Sequence, residues 1–253
     1  MAAVRALATT LVAPLVAAAI TAAPATAQDA AQDARNLSAI YAAEVFQQEV
    51  IAMGKPGLDN GGDDGAAAAA GQDPAVQKAL TYQPSPEVER RTRQELFDSI
   101  VVRIADPATK EKVEQTVTSD ALWLQFHQVL TKAGYSTTNL ADVTTAYYII
   151  VWEVVNAPDA AVHVAGMQAV REDVAAAYAA DPRLKDLTDA DKQEAASIMA
   201  YMATVAAASA NQLRSDGDQA GLETLQDEVH KAVLGQGLDL AQLRLTDEGF
   251  AAR

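Results

Sequence analysis

From Tyr82 to Val233 apolar residues return every three or four positions, and runs that alternate strictly between apolar and polar are scarce. Such spacing buries one face of a helix and leaves little material for a sheet. The periodic stretches also carry start and stop signals. Ser85 precedes Pro86 as an N-cap before a first-turn proline, and Leu96, Phe97, Ile100, Val101 and Ile104 then form a stripe. Asp106-Pro107 repeats that start ahead of Val113 and Val117, and Leu122, Phe126, Val129 and Leu130 continue the pattern to Gly134, a helix stop. Asn139, with Asp142 three residues on, caps the very apolar stretch TTAYYIIVWEVVN, Thr144 to Asn156. Further helices are expected through Val164, Met167, Val170, Val174 and Tyr178, and through Ile198, Met199, Met202 and Val205 after Thr188. A last helix bears Leu222, Leu225, Val229 and Val233 and ends near Gly235 and Gly237. The expected fold class is all-α, a multi-helix bundle or globule.

The N-terminal third reads differently. Residues 1–27 contain one basic side chain, Arg5, an apolar run interrupted by Pro14, and Ala25-Thr26-Ala27, which fits a signal-peptidase site. Residues 28–53 hold Leu37, Ile40, Tyr41, Val45 and Phe46 at helical spacing and predict one amphipathic helix. Residues 54–75 are rich in Gly, Asp and Ala without a periodic apolar face and read as a flexible linker, leaving 76–253 as the helical domain. The sequence thus predicts an exported protein, periplasmic or extracellular, with a cleaved signal peptide.

Charge and cysteine content narrow the function classes. The full chain has 19 Lys and Arg against 34 Asp and Glu, a net charge of −15. Loss of residues 1–27 would remove one base and no acid, leaving the rest more acidic still. A chain this acidic is repelled by phosphate backbones and anionic lipid, so no nucleic-acid partner is expected. No membrane span is expected after signal cleavage, because no later stretch approaches roughly 20 apolar residues. Cysteine is absent, which excludes disulfides, thiolate catalysis and Cys-based zinc sites. Stability must come from a buried core.

Within TTAYYIIVWEVVN one carboxylate, Glu153, sits beside Trp152. At about 100° per residue Asp142 and Glu153 share a line on the helix, with Thr145 and Asn156 beside it, which predicts a narrow polar stripe opposite a wide apolar face. On that stripe Glu153 would reach water or a neighbouring helix terminus. Its functional alternative is a carboxylate held in an interhelical cavity with Tyr147, Tyr148 and Trp152, a candidate pocket for a small molecule. Asp142 lies roughly 16 Å along the axis, too far to form a catalytic carboxylate pair with it.

Candidate metal ligands are few. The loop DGDQAGLETLQD places Asp216 and Asp218 at positions one and three, Gly221 at six and Asp227 at twelve, a partial match to a calcium-binding loop. Ala220 at position five and Glu223 at position eight depart from it, and the simpler reading makes Asp218 or Ser215 a helix cap. DNGGDDG, Asp59 to Gly65, lacks a twelfth-position acid. His127, His163 and His230 have no ligand spacing between them. Neither a nucleophile elbow nor a phosphate loop or dinucleotide fingerprint occurs, so no catalytic residue and no cofactor is assigned.

TNLADVTTAYYIIVWEVVN, Thr138 to Asn156, after the turn at Ala133-Gly134-Tyr135, and the terminal GLDLAQLRLTDEGF, Gly237 to Phe250, carry a resemblance. They resemble the two marked segments of a family of exported bacterial proteins of unknown function, with the similarity running from about Ser85 to Phe250. The resemblance implies a predominantly helical domain and supplies no activity or ligand. In the terminal segment, Leu238, Leu240, Leu243 and Leu245 predict a short helix or turn followed by an extended tail, with Phe250 filling a groove between helices. Two functions are carried forward. One is a protein-binding or structural module of the bacterial envelope, its partner another envelope protein or a second copy. The other is a protein that binds a small molecule or divalent metal, possibly as a hydrolase, near Trp152 and Glu153.

Overall fold

The computed structural model describes residues 72–101, 120–157, 164–234 and 238–253, together with 107, 110, 111 and 114. The sequence expectations for residues 1–71, for the start at Asp106 and the helix of Val113 and Val117, and for His163 lie outside these residues. The described part is all-helical apart from one small hairpin. Its helices are α1 (Pro74–Leu80), α2 (Pro86–Val101), α3 (Asp120–Lys132), α4 (Leu140–Asn156), α5 (Val164–Ala180), α6 (Asp189–Asp216) and α7 (Gln219–Leu234). Strands β1 (Leu243–Thr246) and β2 (Gly249–Ala252) pair antiparallel, Leu245 opposite Phe250.

The caps act where the sequence puts them. Asn139 Oδ1 accepts from the Ala141 amide at 2.9 Å. Thr188 and Asp191 form a reciprocal capping box at the start of α6. Gly134, at φ 78°, ends the α3 region while the Tyr135 amide returns to the Leu130 carbonyl. Helix α1 is the element sequence periodicity did not reveal: seven residues are too few to show a face, and its signal was Asp73, whose side chain accepts from the Ala75 amide, followed by Pro74.

Helices α4 and α6 form the centre. α6 packs against α2, α3, α4 and α7, and α4 also meets α5. Ala195, Ala196, Ala200, Ala203, Ala206 and Ala210 of α6 are all buried, and their short side chains let neighbouring backbones come close. Leu80, Phe126, Leu130, Tyr147, Trp152, Met199 and Leu213 fill the core between them. Burying each large side chain contributes roughly 1.5–3 kcal/mol.

One expectation is corrected. The α4 polar stripe does not face water: Asp142, Thr145 and Asn156 are all buried. Neighbouring elements supply their partners, because Arg171 of α5 pairs with Asp142, Ser136 donates its amide to Asp142 at 2.7 Å, and Asn156 Nδ2 donates to the Leu240 carbonyl at 3.1 Å. Thr145 folds its hydroxyl back onto the Ala141 carbonyl. A helix buried almost all round needs no solvent stripe if its polar groups are matched. The tail is extended, as expected, and turns back on itself. After a 3-10 turn at Leu240–Gln242 it forms the β1–β2 hairpin, reversed at Asp247 and Glu248 just before Gly249, whose φ of 106° suits glycine. Phe250 lies against Trp152 with ring centroids 5.9 Å apart.

Candidate functional site

The first turn of α6 grips the segment between α1 and α2. Lys192, almost fully buried, donates from Nζ to the carbonyls of Ala79 and Thr81 at 3.0 and 3.1 Å, satisfying the open C-terminus of α1. Asp189 accepts from the Gln83 amide at 3.1 Å. Gln193 pairs with Ser85 in both directions: its Oε1 accepts from the Ser85 amide at 2.7 Å and its Nε2 donates to the Ser85 carbonyl at 3.0 Å. This holds Tyr82 to Pro86 extended along one wall of an open groove.

The groove has a volume of about 480 Å³ and is bounded by that segment, by α2, α3 and α6, and by Thr137 and Thr138. Its apolar surface comes from Pro84, Pro86, Trp123 and Leu124, and Leu124 is largely exposed. Ser85 Oγ accepts from the Val88 amide at the start of α2, which sets the register that brings Glu89 and Arg93 to the groove. Arg93 Nε donates to Glu89 at 2.8 Å and Nη1 to Asp120 of α3 at 2.7 Å. Its guanidinium lies 5.6 Å from the Trp123 ring centre, a cation–π contact, and Trp123 meets His127 edge-on at 5.5 Å. The second Glu89 oxygen accepts from Ser197 Oγ at 3.0 Å.

Burial pushes the His127 imidazole below the ordinary histidine value, with Glu89 opposing and Arg93 reinforcing the shift, so it is neutral at pH 7. Burial, with Glu89 nearby, raises the Tyr82 phenol, whose hydroxyl donates to the Thr137 carbonyl at 2.8 Å. Ser197 is buried and its hydroxyl donates to the Glu89 carboxylate rather than to an imidazole base, so the arrangement suits binding better than nucleophilic attack.

The residues singled out from sequence lie elsewhere. Tyr147, Tyr148 and Trp152 are each at most 2 % exposed and form packed core, and burial raises the Tyr148 phenol well above its ordinary value. Trp152 Nε1 donates to the Leu243 carbonyl. Glu153 is half-buried on the outer side of α4, where loss of hydration raises its carboxyl and Arg214 partly opposes this. None of these four lines the groove. Asp216 ends α6 and accepts from Gln212, Asp218 caps α7 by accepting from the Gly221 amide at 2.9 Å, and Asp227 lies within α7. Among the described residues no group of three or more His, Asp or Glu side chains could hold a metal ion. His127 is the groove residue that sequence spacing passed over. Its signal was Trp123 four residues earlier, one helical turn away.

A family model described as a family of unknown function, DUF6683, matches residues 3–253. The chain belongs to DUF6683. The match is wider than the resemblance read over Ser85 to Phe250, because it takes in the N-terminal residues as well. DUF6683 membership shows the family and carries no activity with it. No curated protein and no solved structure matches the chain. Among the described residues no helix is long and apolar enough to cross a membrane.

Proposed function

We propose that this DUF6683 member is an exported binding module of the bacterial envelope whose ligand occupies the groove between α2, α3 and α6. The supporting observation is the groove itself: about 480 Å³ falls within the few hundred to a thousand Å³ of small-molecule sites, and its apolar wall with few polar groups matches their make-up. Trp123, Pro84, Pro86 and Leu124 would supply contact area. Arg93, clamped by Glu89 and Asp120, would hold Trp123 in place before a ligand arrives. Export rests on the N-terminal sequence pattern alone, ending at Ala27.

The test is the thermal unfolding midpoint of the purified protein against a small-metabolite panel, with EDTA and with Ca²⁺ as separate arms. A ligand at a hundredfold over its dissociation constant stabilises by about 2.7 kcal/mol and moves the midpoint by a few degrees. A shift in wild type that disappears in Trp123→Ala supports the groove. A shift that persists in that variant, or one produced by Ca²⁺ alone, contradicts it. Mass measurement of the exported protein tests the leader: a mature chain beginning at Gln28 is expected, and an intact N-terminus in the exported protein would refute cleavage.

A further inference from the structure

The polar groups of the groove are unequally engaged. The Gln193 amide is taken by both backbone groups of Ser85, and Ser197 by Glu89. Glu89 and Asp120 each hold Arg93, which covers Trp123 as a cation already in place. The Tyr82 hydroxyl is occupied by a carbonyl. Among the titratable groups lining the groove, the His127 imidazole is left without a hydrogen bond among the described residues, although it stands half-buried beside Trp123. A half-buried ring nitrogen gains by meeting a ligand donor or acceptor, since burial leaves it poorly hydrated.

Charge then limits what can sit there. Two carboxylates against one guanidinium leave the groove net negative with nothing to offer an anion, and a negative head would face Glu89 and Asp120. A cationic head is not refused, since Arg93 takes one oxygen of Asp120 and that side chain is largely exposed. Resting on the reading of this groove as the ligand site, we infer that it takes uncharged or cationic aromatic compounds bearing one hydrogen-bonding head and refuses anionic ones, the ring against Trp123 and the prolines and an uncharged head on His127. His127 is thus a specificity-determining residue.

Isothermal titration of the purified protein near neutral pH with 2-naphthol, 2-naphthoate and 2-naphthylmethylammonium tests this. 2-Naphthol and 2-naphthylmethylammonium should each bind about tenfold or more tightly than 2-naphthoate. His127→Leu should weaken 2-naphthol and erase its advantage over 2-naphthoate, while His127→Gln, which retains a hydrogen-bonding head, should keep part of it. Circular dichroism confirms that each variant is folded. Equal affinity for all three probes, with all three weakened by Trp123→Ala, overturns the head-group assignment and leaves the groove standing. Binding untouched by Trp123→Ala, or no binding by any probe, overturns both the selectivity and the groove as an aromatic site.

Discussion

The indole N–H of Trp152 donates to the carbonyl of Leu243 at 3.0 Å, joining the most buried helix to a strand 91 residues later. Asn156 adds a bond to the Leu240 carbonyl one turn further along, and Arg253 Nε reaches the same Leu243 carbonyl at 3.1 Å. The C-terminal hairpin is therefore part of the core. Trp152→Phe should preserve most ring packing and cost about 1 kcal/mol through the lost hydrogen bond, whereas Trp152→Ala should cost about 3–5 kcal/mol. Urea unfolding of the two variants checks the ratio.

Gly166 in the first turn of α5 sits against the same hairpin. An added Cβ would lie 1.9 Å from the Thr246 carbonyl oxygen. Helix propensity alone would make Gly166→Ala stabilising by roughly 1 kcal/mol. The backbone clash wins, so the variant should be destabilised, with faster proteolysis after Arg244. A stabilised Gly166→Ala would mean that the hairpin does not dock on α5.

Asp142 and Arg171 form an ion pair whose carboxylate is almost fully buried, and the other carboxylate oxygen accepts from the Ser136 amide. Removing the cation leaves the carboxylate stranded. Arg171→Ala should cost up to about 3–5 kcal/mol, reduced to the extent that water reaches the partly exposed guanidinium site. A denaturant midpoint within error of wild type would show the pair to be solvated.

Half-burial raises the Glu153 carboxyl, so its ionisation opposes folding. A folded value above the unfolded one means that stability is fullest at low pH and is lost as pH rises from about 4.5 through the folded value. Glu153→Gln should therefore be slightly more stable than wild type at pH 7, by less than about 1 kcal/mol because Arg214 compensates part of the cost. The advantage should vanish at pH 4. Melting at the two pH values reads it directly.

His127 titrates the other way. Its imidazole is held below the ordinary histidine value by burial, with Glu89 and Arg93 of α2 and Asp120 of α3 facing the same groove. Protonation would remove its acceptor nitrogen. Affinity for 2-naphthol should be flat from pH 8 to 7 and fall once acidification passes below the ordinary imidazole range. Stability follows the same sign: the neutral ring favours the fold above about pH 6.5, and that contribution is lost as pH drops through the window beneath it.

Local signals in the sequence foretold much of this architecture. Ser85, Asn139, Thr188 and Gly134 begin or end helices because their side chains or backbone freedom act within a turn of where they stand. The burial of Asp142 and Asn156 was not legible, since their partners Arg171 and Leu240 come from distant segments and helical phase alone reads a polar line as a solvent face. The hairpin was missed for a similar reason. Its alternating run is only four residues long, and Leu243 and Leu245 fit a turn as well as a strand. The groove was least visible, because Glu89, Trp123 and Ser197 converge from three helices.

Amide chemical-shift mapping with 2-naphthol tests the central claim most directly. Perturbations gathered on Tyr82 to Pro86, Trp123 to His127 and Gln193 to Ser197, with the Trp123 indole resonance moving and that of Trp152 still, are the predicted result. Perturbations centred instead on Tyr147 to Glu153 would contradict the account and return the binding site to α4.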